Sequence, residues 1–220
     1  VHVAFGSMYF MDADTTDGGY SSFSMTNGLH YWNTNMAENG AHLIAQAPDL
    51  NANGVLDLDS IPTFNYNVGL ASMPTFASGE EEGLFLSFSA VTEGFIAFNG
   101  MNCRHQFLIQ SSDGGSTWNT DEPTDLTPDG GPQTTNYEYS YGCLNSDLVN
   151  GSLQLLVQRD FDPGIFSLGN HPETYSSTWF IDVPLESIAG TEVCLVGCLD
   201  EEACNYDELA NTEAECFYPE

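Results

Sequence analysis

Residues 104–118 read Arg-His-Gln-Phe-Leu-Ile-Gln-Ser-Ser-Asp-Gly-Gly-Ser-Thr-Trp, an apolar strand pattern that ends in a tight polar turn. Asp113 is placed to accept hydrogen bonds from backbone N–H groups across that turn. Gly114 and Gly115 permit the positive φ angles that a tight turn needs, and Trp118 can fold beneath the turn as a hydrophobic clamp. The stretch therefore predicts a strand that is closed by a locally stabilised turn.

Alternating apolar residues indicate further strands before and after this stretch. Apolar side chains recur at every second position in 84–88, 153–157 and 1–5, which is the period of a β-strand. No long segment repeats its apolar residues with the period of an α-helix. Short strands that are separated by loops rich in Gly, Asn, Asp, Ser and Pro predict an all-β fold of the sandwich, barrel or propeller type.

A weak internal repeat groups these strands into about three units. Each unit has an opening strand near a small loop, a strong central strand and a third strand, and the third of the units is incomplete. The units comprise 72–79, 83–90 and 104–118; 137–144, 152–159 and 177–185; and 1–10 with 28–34. Such repetition is typical of an architecture built from similar small sheets.

The turn also carries a family resemblance. Residues 111–118 match the pattern S-x-D-x-G-x-T-W at every fixed position, which resembles the Asp-box of sialidase-like (BNR-repeat) β-propellers. The matching residues are Ser111, Asp113, Gly115, Thr117 and Trp118. The resemblance implies that 1–188 form a propeller-like domain of antiparallel blades, in which the Asp-box has a structural role. Because propellers have about four to eight blades, further segments of the same protein or other chains would complete the ring.

The composition argues against the catalysis that sialidase-like propellers carry. Sialidases of that family hold the substrate carboxylate with three arginines and use a Tyr/Glu pair as nucleophile. This chain has only Arg104 and Arg159 and no lysine, so an arginine triad is excluded. A glycosidase that works with two carboxylates is not excluded by counting, but nothing singles out one pair among the 32 acidic residues. We therefore expect a protein that is not an enzyme.

The charge balance is extreme, because 32 acidic residues stand against two basic ones and give a net charge of −30. A nucleic-acid groove needs clustered Lys and Arg, and docking on an anionic membrane needs a basic patch, so both are excluded. The apolar stretches are also shorter than the roughly 20 residues of a membrane span. The 14 Phe, 10 Tyr and 3 Trp argue against disorder. Since screening and bound cations relieve self-repulsion, the composition favours a marine or otherwise saline setting. The cytosol of a halophile is the alternative, although six cysteines fit it poorly.

Residues 49–59 follow the pattern D-x-N-x-N-G-x-x-D-x-D. Oxygen ligands at alternate positions, a glycine in the sixth position and a backbone carbonyl in the seventh can wrap a hard cation. The stretch looks like the calcium loops of EF-hand, dockerin and thrombospondin type 3 repeats, although Ser60 stands where an EF-hand has a bidentate Glu. The expected ligands are Asp49, Asn51, Asn53, the carbonyl of Val55, Asp57 and Asp59. A polar turn without a metal is the alternative.

The six cysteines are Cys103, Cys143, Cys194, Cys198, Cys204 and Cys216. An even number, with four near the C-terminal end, indicates disulfides in an oxidising compartment. Residues 197–218 resemble a G-C-x-D-x-x-A-C-N-Y-D module of large surface proteins of marine bacteria. The resemblance implies a small disulfide-rich module over 189–220 whose internal pairing stays open. Cys103 would then pair with Cys143 between adjacent blades, or the two would be buried thiols.

Together these features predict a secreted, non-catalytic structural or adhesive component of a cell-surface or filament assembly, stabilised by calcium. Its partners would be other protein chains or further segments of the same protein, and glycans are a further candidate ligand. Two alternatives stay open: a fragment of a secreted sialidase-like glycoside hydrolase, whose catalytic residues lie elsewhere, and a glycan-binding lectin.

Overall fold

The structure is a computed structural model, and its secondary structure is almost entirely β. It describes residues 1–23, 25–36, 40–59, 66, 68–79, 83–121, 123–127, 136–164, 173–188, 196–197, 200, 212–213 and 218. Within these ranges the elements are strands and one short 3-10 helix, Leu185–Ser187. The prediction of an all-β fold is therefore confirmed.

The described residues form the following strands in chain order. They are β1 (His2–Gly6), β2 (Tyr9–Met11), β3 (Ser21–Phe23), β4 (Leu29–Asn33), β5 (His42–Ala45), β6 (Ala71–Gly79), β7 (Gly83–Ile96), β8 (Asn102–Ser111), β9 (Thr124–Asp125), β10 (Glu138–Leu144), β11 (Ser152–Asp160), β12 (Ser177–Pro184), β13 (Val196–Gly197) and β14 (Thr212–Glu213).

Three antiparallel sheets contain most of these strands. The first sheet has the order β1-β4-β5, the central sheet β6-β7-β8-β9 and the third sheet β10-β11-β12. Each of the three repeat units found in the sequence contributes the main strands of one sheet. In the central and third sheets, neighbouring strands follow one another in the chain, so these two sheets can form from local pairings. In the first sheet, β2 and β3 lie between the paired strands β1 and β4 in the chain.

The central sheet is covered on both faces by the other two sheets. Leu86 and Phe88 of β7 face a core shared with the first sheet, where Tyr31 is also buried. Phe85 of β7 points to the opposite face and joins a second core with Leu155 of the third sheet. The alternation in β7 is therefore between two cores instead of between core and solvent.

The start of the chain differs from the sequence prediction. Residues 1–10 do not form one strand, because β1 ends at Gly6 and β2 pairs with β3 in a separate two-stranded sheet. In the expected tail module, the described elements are a short parallel pair, β13 and β14. The described sheets do not close into a ring, so the established architecture is a set of antiparallel sheets.

Candidate functional site

The Asp-box forms a compact turn that is held together by Asp113. Its Oδ1 accepts hydrogen bonds from the backbone N–H groups of Ser116 and Thr117 at 2.9 and 2.8 Å. The hydroxyl of Thr117 donates to Oδ2 at 2.7 Å, and the hydroxyl of Ser111 donates to Oδ1 at 2.8 Å. Ser111 in turn accepts from the N–H of Gly115 at 2.8 Å. The fixed polar residues of the pattern therefore satisfy one another locally.

These hydrogen bonds lower the pKa of the Asp113 carboxyl group. The bonds from Thr117, followed by those from Ser111 and Ser116, lower the pKa of Asp113 from 3.8 to about 2. A carboxylate that accepts several hydrogen bonds is stabilised in its charged form. Asp113 is thus a structural acceptor and is poorly suited to donate a proton near neutral pH.

The remaining Asp-box residues connect the turn to the first sheet. Trp118 packs edge-on against Tyr31 of β4, with ring centroids 5.1 Å apart, and also contacts Phe76 of β6. Gly115 has a φ of +90°, and a Cβ built on it would lie 1.9 Å from the Tyr31 hydroxyl oxygen. Glycine is required there for backbone conformation and for space, so the turn holds the first and central sheets together.

The loop predicted to bind calcium follows β5 and has the internal hydrogen bonds of a folded turn. Asp49 Oδ2 accepts from the N–H of Gly54 at 2.6 Å. Asn51 Oδ1 accepts from the N–H of Asn53 at 3.0 Å, and Asn53 Oδ1 accepts from the N–H of Val55 at 2.8 Å. Gly54 has a φ of +87°, as the sixth position of such a loop requires. Hydrogen bonds from backbone N–H groups therefore fix the side-chain oxygens of Asp49, Asn51 and Asn53, the first, third and fifth positions of the loop.

The last two predicted ligands, Asp57 and Asp59, differ in how they are placed relative to this loop. Asp57 accepts from Asn53 Nδ2 at 2.8 Å, so its carboxylate faces the earlier positions. Asp59 is exposed. Within the described part of the chain, no group of three or more His, Cys, Asp or Glu side chains is arranged to hold a metal ion. The donors are nonetheless all oxygens from Asp, Asn and a carbonyl, which is the chemistry that Ca²⁺ prefers.

A surface cavity of about 400 Å³ lies beside this loop. Its walls come from β5 with the residues that follow it as far as Asp49, and from the segment after the Asp-box, including Thr120 and Asp121. None of the described residues that line this cavity is basic, and Asp49 and Asp121 give it two acidic groups.

A buried cluster around Glu138 was not singled out from the sequence. Arg104 donates from its guanidinium to the carbonyls of Leu70 at 3.1 Å and Gly69 at 2.9 Å, and its Nε lies 3.9 Å from Glu138 Oε1. The backbone N–H of Arg104 also donates to Glu138 Oε2. Burial raises the pKa of Glu138 to about 7, although Arg104 acts in the opposite direction. Burial also raises the pKa of nearby Tyr66 above its ordinary value.

This cluster has residue types that glycosidases use, but its environment is unsuitable for catalysis. Glu138 is completely buried and Arg104 nearly so, so a substrate cannot reach either group. A tyrosine nucleophile needs a lowered pKa, whereas the pKa of Tyr66 is raised. The cluster therefore stabilises the packing of β6, β8 and β10 and offers no active site.

The second basic residue is also occupied by internal contacts. The guanidinium carbon of Arg159 lies 3.3 Å from the ring centroid of Tyr137 and 4.2 Å from that of Trp179. Such stacking is a favourable use of a planar cation. Arg104 is therefore buried, and the half-buried Arg159 packs its guanidinium against two aromatic rings.

The cysteine predictions have different outcomes. Cys103 is buried in β8, whereas Cys143 is exposed on β10, and the described residues contain no disulfide bond between them. Cys194, Cys198, Cys204 and Cys216 lie outside the described residues.

No family model, curated protein or solved structure matches this chain. The resemblance to sialidase-like propellers therefore stays a prediction that depends on 111–118. Among the described residues, no helix has the length and apolar character that a membrane span requires.

Proposed function

We propose that this protein is a non-catalytic structural or adhesive component of an extracellular assembly, in which the three sheets act as propeller-like blades stabilised by calcium. In this proposal the segment 189–220 is a small disulfide module, and the protein is secreted to the cell surface. Other chains or further segments of the same protein cover the outer sheet faces.

The observation that carries the proposal is the apolar character of those two outer faces. On the first sheet, Phe5, His30 and Leu43 lie side by side across three strands, and Phe5 and Leu43 are 45% and 52% exposed. A contiguous apolar surface on a soluble protein indicates an interaction site. This face has the composition of a surface that packs against another sheet.

The third sheet has a matching row on its outer face. Cys143, Leu156 and Phe180 lie directly opposite one another on β10, β11 and β12. Leu156 and Phe180 are 49% and 59% exposed. The central sheet buries both of its faces against its neighbours, and the same type of sheet-on-sheet packing would cover these two rows.

Among the described residues, the two carboxylates with the largest pKa shifts, Asp113 and Glu138, have structural surroundings, which supports a non-catalytic role. The carboxylate with the most clearly raised pKa among the described residues, Glu138, is completely buried. The motif residues Asp113 and Thr117 satisfy each other within a turn. A structural role accounts for both arrangements without a substrate.

The proposal is tested by native mass spectrometry and negative-stain microscopy of the full chain in calcium and in a chelator. We expect oligomers or filaments in calcium that dissociate when calcium is removed. The double variant Leu156→Ser, Phe180→Ser should remain folded and lose assembly, while Gln154→Ser on β11 should assemble normally. A monomer in calcium at all concentrations would contradict self-assembly of this chain.

A glycan-binding role is the second candidate, and the cavity beside Asp49 is the observation that favours it. Its mixed polar and apolar walls could receive a neutral sugar. A glycan array on the monomeric protein separates the two roles, because binding that is lost in Asp121→Ala and unaffected by Leu156→Ser would identify a lectin.

A further inference from the structure

Glu93 is a buried carboxylate that contacts the predicted calcium loop from another strand. It lies in β7, far along the chain from the loop, and is only 7% exposed. Its Oε2 accepts from the backbone N–H of Leu50 at 3.2 Å, and its Oε1 contacts the side-chain amide of Asn51. The carboxylate therefore faces the first positions of the loop.

A bulge in β7 places Glu93 there. The pairing register of β7 with β8 is interrupted between Val91 and Ile96, and Gly94 has a φ of +75°. A bulge changes the direction in which a side chain points and is a recurrent feature of binding sites. The bulge turns Glu93 out of the regular alternation of the strand.

Among the described residues, no Arg or His side chain forms an ion pair with Glu93, whose oxygens accept only from uncharged N–H groups of Leu50 and Asn51. The chain has only two Arg and no Lys. Arg104 lies between Glu138 and the carbonyls of Gly69 and Leu70, and Arg159 lies between two aromatic rings. Burying a carboxylate without a countercharge is strongly unfavourable, and Asp49 and Asp57 in the adjacent loop add further negative charge.

We propose that Glu93 supplies the carboxylate that the loop itself lacks, and that it binds the same Ca²⁺ as Asp49, Asn51, Asn53 and Asp57. In an EF-hand the last loop position provides a bidentate Glu, whereas Ser60 occupies that position here. The inference rests on the calcium binding proposed above. Its consequence is that one ion connects the segment between the first and central sheets to a bulge of the central sheet.

This arrangement explains why an incomplete loop can still be a cation site. Affinity for Ca²⁺ rises with the number of charged ligands and with the rigidity of the site. In the structure the carboxylates of Asp49, Asp57 and Glu93 do not converge as a ready metal-binding group. In the proposal, the ion draws the two loop carboxylates to Glu93, which is fixed in a buried strand. The loop is anchored from the other side by Leu56 and Leu58, which pack on the first core.

The experiment is a calorimetric titration of the full chain with CaCl₂, combined with thermal unfolding in calcium and in EGTA. About 0.5 M NaCl in all samples suppresses diffuse cation binding to the acidic surface. The variants are Glu93→Gln, which keeps a hydrogen-bond acceptor but removes the charge, and Asp57→Asn in the loop. Glu186→Gln is the matched control, because Glu186 is exposed and lies in the 3-10 helix far along the chain.

We expect one site in the unmodified protein and in Glu186→Gln. In Glu93→Gln the affinity should fall by about tenfold or more, in the range that loss of a supporting ligand causes, and the calcium-dependent rise in Tm should shrink. In EGTA, Glu93→Gln should be at least as stable as the unmodified protein, because the substitution removes a buried charge that lacks a countercharge. A purely structural acceptor at this position predicts the opposite sign in EGTA.

The outcomes distinguish failure of the role of Glu93 from failure of calcium binding by the loop. If the unmodified protein binds calcium and Glu93→Gln binds it equally well, the role of Glu93 is wrong and the loop alone is the site. If Asp57→Asn and the unmodified protein both fail to bind, the calcium site and the role of Glu93 are both wrong. Assembly through the outer sheet faces is then still judged by the Leu156→Ser, Phe180→Ser variant.

Discussion

Replacing Gly115 with alanine should destabilise the protein by about 2–5 kcal/mol. A positive φ costs a non-glycine residue about 1–2 kcal/mol, and φ is +90° here. The new Cβ would also lie 1.9 Å from the hydroxyl oxygen of Tyr31, and such overpacking typically costs about 1–3 kcal/mol. Tyr31 has little freedom to move, because it is completely buried and hydrogen-bonds to His2 and Asn33.

The adjacent glycine provides the control. Gly114 has a φ of +70°, but a Cβ built on it would meet nothing within 4 Å. Gly114→Ala should therefore show the backbone cost alone, about 1–2 kcal/mol. Urea unfolding followed by tryptophan fluorescence measures both free energies, and Trp118 lies next to the perturbed ring. Equal losses in the two variants would refute the inference that this turn is locked against the first sheet.

Three further predictions concern charged groups. Asp113→Ala should lower the free energy of unfolding by about 1–2 kcal/mol in a urea titration at pH 7. The pKa of Asp113 is lowered from 3.8 to about 2 in the folded state. Its contribution to the free energy of unfolding is therefore present above pH 4 and disappears as pH falls through about 2. Over that range Asp113→Ala should lose less stability than the unmodified protein. The pKa of Glu138 is instead raised from 4.5 to about 7. Its contribution to the free energy of unfolding is therefore complete below pH 4.5 and is lost as pH rises through about 7. Glu138→Gln should reduce the decline of the free energy of unfolding between pH 5 and pH 8, and the same decline in both proteins would contradict the shift. Arg159→Lys should cost about 0.5–2 kcal/mol, because lysine cannot stack its charge between Tyr137 and Trp179; thermal unfolding compared with Gln158→Ser measures it.

The strands were predictable from the sequence because their pattern is local. Alternation in 84–88 and 153–157 depends only on nearest neighbours in a pleated chain, and β7 and β11 cover both stretches. The division of 1–10 into β1 and β2 was not predictable in this way. A Cβ added at Gly6 would lie 3.2 Å from the backbone oxygen of Ala71, so a distant strand limits the space at this position, which local patterning cannot reveal.

Whether a site could be predicted from the sequence likewise depends on whether its contacts are local or distant in the chain. The hydrogen-bond partners of Asp113 lie within four residues of it in the chain. The turn could therefore be predicted from the eight residues 111–118 alone. Glu93 contacts Asn51, and Glu138 contacts Arg104, from positions far apart in the chain. Nothing in the neighbouring sequence distinguishes these two carboxylates from the other acids. Their burial alone makes them notable, and burial follows from packing of the three sheets.

The placement of the two arginines determines how this protein can associate. Arg104 is buried and Arg159 is stacked between rings, so the surface has many carboxylates and almost no basic side chain with which to pair them. Salt bridges between copies are therefore unavailable, and attraction has to come from apolar rows such as that of Leu156 and Phe180. Salt weakens repulsion between like charges and leaves apolar contacts intact. Association of this chain should consequently strengthen as the salt concentration rises, the reverse of what an interface built on ion pairs would show.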